Sequence, residues 1–185
     1  MKKTVLTFGL ISGAMMAAFM FATLPLLDKI GFERGEIVGY TALVLSFLLV
    51  FFGIRSYREN VSEGYITFWK GLRVGLLIVA VASSCYVIAW QILYHNFLPD
   101  FADKYTAYTL EKMRASGASA ETIALKSEEM KTFMEYYKIP IVNVAITFLE
   151  PLMVGIPMTL LSAALLRKRR KETLDAAGPL EQPAA

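Results

Sequence analysis

Four long apolar stretches divide this chain, at residues 5–27, 38–54, 71–94 and 139–166. Each approaches or exceeds the roughly 20 residues that cross a bilayer as helix. The segments between them are polar and differ in length. Residues 28–35 read as a short turn and residues 55–69 as a loop with Tyr57, Tyr65, Phe68 and Trp69. Residues 95–138 are long enough for structure of their own. There Pro99-Asp100 predicts a helix start, and Phe101, Tyr105 and Tyr108 recur at helical spacing. Ser116-Gly117 predicts a stop, with Gly117 suited to a left-handed cap. Ser119 is placed to cap a second helix, on which Ile123, Met130, Met134 and Tyr137 form a stripe. The i,i+3 pairs Glu111/Arg114, Glu128/Lys131 and Glu135/Lys138 would lie on the wet face. The expected fold is all-α: an integral membrane four-helix bundle with an extracytoplasmic helical hairpin before the last span. Residues 1–171 then form one four-span domain. Residues 172–185 lack periodicity and read as a disordered tail.

Composition agrees with a bilayer as solvent. The chain has 185 residues, of which 56% are hydrophobic, and a mean hydropathy of +0.48. A soluble domain of this length does not need four separated apolar runs. The formal net charge of +3 gives no reason to expect a nucleic-acid partner. Its distribution says more. The two termini and the 55–73 region sum to +6, and residues 28–36 with 95–138 sum to −2. Lys/Arg bias sets orientation, so both termini are expected in the cytoplasm. The run Arg167-Lys168-Arg169-Arg170-Lys171 reads as a stop-transfer cluster that attracts anionic membrane lipids. Trp69 beside Lys70 and Arg73 reads as an interfacial anchor. Met-Lys-Lys before an apolar run also resembles a signal peptide. The run continues to Leu27 with no small-x-small site after it, which favours a retained span.

Small residues recur inside the spans. Gly9 and Gly13 form a GxxxG pair followed by Ala17, and Gly71 and Gly75 form another. Gly39, Ser46 and Gly53 are spaced by sevens, as are Gly155 and Ser162. Lipid supplies no hydrophobic drive between helices, so close backbone approach holds bundles together. These faces are expected to pack the bundle internally; a homodimer through one of them is the second reading. The lone cysteine, Cys85, lies within the third span and reads as a small core residue. The lone histidine, His95, has Asp100 and Asp103 nearby, but the spacing matches no standard metal site.

Glu150 needs a separate explanation. It lies about 24 Å of helix rise from Leu166 and about 16 Å from Ile139. An unpaired carboxylate at that depth costs several kcal/mol. No Lys or Arg lies at matching depth, so a neutral acid is expected. Asn143, Thr147 and Glu150 share one helical face, at i, i+4 and i+7. Depth matching nominates Tyr86 with Ser83 and Ser84 on the third span, and Tyr40 with Thr41 on the second. The stripe is either an interhelical hydrogen-bond clamp or a proton or cation relay. Pro151 and Pro157 remove the helical partners of the Thr147 and Met153 carbonyls, which makes this span deformable. The motifs GxxxxGK[ST], HExxH, CxxC and GxSxG do not occur. No cofactor and no enzymatic activity is expected.

Several segments in this order resemble a family of uncharacterised bacterial membrane proteins, domain-of-unknown-function family 4199. They are Gly53-Ile54-Arg55-Ser56-Tyr57-Arg58, the run from Gly64-Tyr65-Ile66-Thr67-Phe68-Trp69 through Lys70-Gly71-Leu72-Arg73-Val74-Gly75, Leu98-Pro99-Asp100-Phe101, and Phe148-Leu149-Glu150-Pro151-Leu152-Met153-Val154-Gly155 leading to Leu160-Leu161-Ser162-Ala163. The resemblance implies four spans, a charged helical insert before the last, and no activity to carry over. The expectation is a non-enzymatic multi-pass protein of the bacterial inner membrane, acting through helix packing or partner contacts. Another envelope protein would meet the outer insert. The alternative is a small proton- or cation-coupled transporter using Glu150.

Overall fold

A computed structural model describes residues 1–23 and 26–168. The expected tail and the end of the basic cluster lie outside the described residues. Among the described residues six helices follow in order: α1 (Lys2–Thr23), α2 (Leu27–Val61), α3 (Phe68–Asn96), α4 (Phe101–Ala115), α5 (Ala120–Tyr137) and α6 (Pro140–Leu166). Four of them, α1, α2 from Lys29, α3 and α6, are long and apolar enough to cross a membrane.

The chain is more helical than its polarity pattern suggested. The turn expected at residues 28–35 is helix apart from Gly31, whose φ of 74° and ψ of 165° kink α2. The charged residues around Gly31 read as loop, yet they extend the helix beyond its apolar run. At the other end α2 runs to Val61. The 55–69 loop therefore shrinks to a tight connection in which Gly64 has φ 81°. Thr67 then caps α3 by accepting from the Lys70 amide. In α6 Pro140 occupies the first turn, where its missing N–H is harmless. Pro151 and Pro157 lie inside a helix that stays continuous.

Close backbone approach organises the bundle. A Cβ on Gly9 would meet Val81 Cβ at 2.7 Å, and one on Gly13 would meet Cys85 Cβ at 2.5 Å. This is how α1 lies against α3. Gly71 and Gly75 bring α3 against α6, facing Ala163 and Thr159, while Gly155 faces Val79 and Phe47. Gly53 on α2 faces Ile78 and Phe8. Gly39 departs from its expected packing role, since a Cβ there meets nothing within 4 Å. Phe47, Val50, Ile54, Val74, Ile78 and Val79 are fully buried at the bundle centre. Ser12 Oγ donates to the Ser46 carbonyl at 2.8 Å and ties α1 to α2. Outward faces carry exposed Leu10, Leu48, Phe52, Ile88, Leu149 and Met153, as a lipid-facing surface requires.

At the end where α1 starts and α6 stops, Ile66 and Lys168 exchange two backbone hydrogen bonds of 3.0 and 2.9 Å. Arg58 Nη1 adds a bond to the Leu166 carbonyl at 3.1 Å. At the opposite end α4 and α5 form a hairpin turned by Gly117, with φ 78°, and Ser119 caps α5 through the Thr122 amide. Met130, Met134 and Tyr137 are buried and Ile123 is half-buried. Among the described residues the three i,i+3 ion pairs expected on the hairpin do not form; Lys126 and Glu129 pair instead, at 3.0 Å. Exposed pairs contribute little against side-chain entropy, so the pattern of charges does not decide which ones meet.

Candidate functional site

The polar face of α6 meets partners from α3 and α5. Glu150 Oε2 accepts a 3.0 Å hydrogen bond from the Tyr86 hydroxyl. Nearer the hairpin, Asn143 Oδ1 accepts from Gln91 Nε2 at 2.7 Å and from Thr147 Oγ1 at 3.4 Å. The hydroxyls of Thr147 and Tyr137 lie 3.5 Å apart, and Trp90 Nε1 donates to the Tyr137 oxygen at 2.9 Å. The two contacts near 3.5 Å are weak by length; the other three are ordinary bonds. The Asn143 amide nitrogen is buried with no partner among the described residues. Burial holds the Tyr137 phenol above its ordinary range, against the opposing pull of its bonds with Thr147 and Trp90.

The other nominated residues are distributed differently. Tyr40 is 52% exposed and makes no hydrogen bond to Glu150 among the described residues. Thr41 and Ser84 return their hydroxyls to their own helices, at Ile37 and Ala80. The buried Ser83 hydroxyl has no partner among the described residues. Gln91, Trp90 and Tyr137 are the members that sequence reasoning missed as polar partners. Helix direction carried a signal for one of them. With α3 and α6 antiparallel, stepping back from Glu150 to Asn143 matches stepping forward from Tyr86 to Gln91.

These side chains border a cavity of about 520 Å³. Glu150, Thr147 and Tyr86 form its deep wall, together with Met16 and Leu43. Glu36, Gly39 and Tyr40 line it from one face of α2. The hairpin covers it through Phe101 and Tyr105 on α4 and Met134 and Tyr137 on α5. Aromatic contacts hold the cover down. Phe32 sits 5.3 Å from Tyr108 and 5.9 Å from Tyr105, measured between ring centroids. Trp90 meets Phe101 edge-on at 5.1 Å, and Tyr94 meets Tyr137 at 5.6 Å. Burial raises the Tyr105 phenol above its usual range, and the Glu36 carboxylate adds to the shift.

A family model described as "Protein of unknown function (DUF4199)" matches residues 7–168. The chain belongs to this family. No curated protein and no solved structure matches it. The DUF4199 match starts in α1 and ends at the Lys168 bridge, so every residue lining the cavity lies within the family domain.

Within that domain the chemistry of the cavity is narrow. Among the described residues its ionisable side chains are two carboxyls, Glu36 and Glu150, and the phenols of Tyr40, Tyr86, Tyr105 and Tyr137. His95 lies elsewhere, exposed, with Nδ1 3.0 Å from the Gln91 carbonyl oxygen and its ring against Tyr94. Cys85 is spent on the close contact with Gly13. Glu150 can tie helices through Oε2 while its Oε1 accepts no hydrogen bond among the described residues. A carboxyl so placed can clamp the bundle, accept a proton, or meet a ligand in the cavity.

Proposed function

We propose that this DUF4199 protein is a non-enzymatic, multi-pass protein of the bacterial inner membrane that acts through helix packing and partner contacts. In this reading both termini are cytoplasmic and the α4–α5 hairpin is outside, following the charge split of +6 against −2. Glu150 is a clamp, and the hairpin offers the contact surface for another envelope protein. The observation that carries this is the 3.0 Å bond from Tyr86 to Glu150, which joins α3 to α6 at the depth where a lone carboxylate is most expensive.

A second reading, proton- or cation-coupled transport, is favoured by one feature: Glu150 also borders the cavity. Two substitutions separate the readings. Glu150→Gln keeps the shape and can still accept from Tyr86. A clamp predicts an unchanged melting temperature for Gln, while Glu150→Leu loses about 1–2 kcal/mol. A relay predicts that Gln abolishes pH-gradient-driven or cation flux in proteoliposomes although it stays folded. Wild-type flux that disappears in a fully stable Gln variant would overturn the clamp.

A further inference from the structure

We infer that the cavity beneath the hairpin is a binding site for a lipophilic monovalent cation, an organic ammonium or phosphonium rather than a neutral lipid or an anion. This goes beyond the clamp reading and does not require transport. Three observations converge on it. The first is charge. Glu36 and Glu150 line the cavity, and no Lys, Arg or His is found among the described residues that do. An anion would find no counter-charge there; a cation finds two carboxyls, and Glu150 Oε1 accepts no hydrogen bond among the described residues.

The second is the aromatic lining. Tyr40, Trp90, Phe101, Tyr105 and Tyr137 come from four different helices to one cavity. Ring faces attract cations, and aromatic cages are a recurring device for quaternary ammonium ligands. The remaining lining is mostly Met, Leu and Phe, which suits apolar substituents around a single charge.

The third is the space itself. About 520 Å³ falls within the range of small-molecule sites, about 300–1,000 Å³. Gly39 on α2 borders this space, with nothing within 4 Å of its missing Cβ. Gly39 therefore provides a plug point that disturbs no packing.

The test uses the full chain in phosphatidylcholine nanodiscs. Of the two tryptophans, Trp69 is 75% exposed and distant in the fold. Trp69→Phe leaves Trp90, in the cavity wall, as the only reporter. Tetraphenylphosphonium is titrated against its fluorescence, with tetraphenylborate as an anion of the same shape and empty nanodiscs subtracted. The expected result is saturable quenching by the phosphonium and none by the borate. Glu150→Gln should weaken binding by about tenfold, with a smaller loss for Glu36→Gln. Gly39→Leu should abolish binding while keeping the wild-type melting temperature; Gly39→Val replaces it if Leu lowers that temperature. Equal binding of phosphonium and borate would overturn the inference, as would unchanged affinity in the Glu150→Gln/Glu36→Gln double variant. Full binding by the folded plugged variant, or no saturable signal in the wild type, would also overturn it. Because the readout is equilibrium binding, absence of flux in proteoliposomes leaves it standing.

Discussion

Gly13→Ala and Gly39→Ala are the same chemical change in two helices, and the structure assigns them opposite signs. Replacing glycine by alanine inside a helix contributes up to about 1 kcal/mol through backbone entropy. That gain is common to both sites, so it cancels in their difference. At Gly39 the new methyl meets nothing within 4 Å, and the gain survives. At Gly13 it lands 2.5 Å from Cys85 Cβ and 3.2 Å from the Ala82 carbonyl oxygen. The first contact is about 1 Å short of ordinary carbon–carbon separation, and neither atom can swing away, because one is a Cβ and the other is backbone. Helix α1 must lift off α3 as a body. Overpacking of this kind costs about 1–3 kcal/mol, and that range is the predicted gap between the two variants. The assay is reversible unfolding in mixed dodecylmaltoside and SDS micelles, followed by far-UV circular dichroism. Adding Cys85→Gly to Gly13→Ala removes the two closest clashing atoms, Cys85 Cβ and Sγ, so the double variant should show a favourable coupling energy in a double-mutant cycle. Indistinguishable stabilities for Gly13→Ala and Gly39→Ala would refute the close-approach account of the α1–α3 contact.

Two further predictions concern orientation and pH. Reporter fusions after Asn60 and after Lys171 should read cytoplasmic and one after Gly117 external; a cytoplasmic signal at Gly117 would remove the basis for an exposed envelope-facing hairpin. The Tyr137 phenol is raised by burial, so its contribution is fully present below the unfolded phenol pKa of about 10 and is lost as pH rises through the folded value. Wild type should therefore lose more stability than Tyr137→Phe above that pH in the same micelle assay, and parallel losses would sink the assignment.

Much of the architecture is legible because the bilayer imposes a length on apolar runs. The four spans and the two hairpin helices follow from run length, Ser119 and Gly117. The residues around Gly31 were not legible as helix, since a charged stretch beside a glycine has the composition of a turn. Packing against the aromatic face of α4 through Phe32 is tertiary information. Glu150 stands out in any reading, and depth counting reaches Tyr86. It fails for a Tyr40–Glu150 bond because depth fixes the level of a residue but not its distance across the cavity that both line. The cavity is the least legible feature. Empty space is encoded by what several helices leave out, and Gly39 looks in sequence like every other small residue in a membrane helix.

The paired backbone bonds between Ile66 and Lys168, with Arg58 on the Leu166 carbonyl, make one end of α6 a fixed mount. The other end borders the cavity, and between them Pro157 and Pro151 leave the Met153 and Thr147 carbonyls without helical donors. A rod anchored at one tip and softened at its middle can yield only beyond the soft point. Any adjustment of α6 to an occupied cavity therefore swings the segment bearing Glu150, Thr147 and Asn143, while the Gly71–Ala163 contact stays still. The helix is built as a cantilever whose far arm is held to α3 by the side-chain bonds of its polar face.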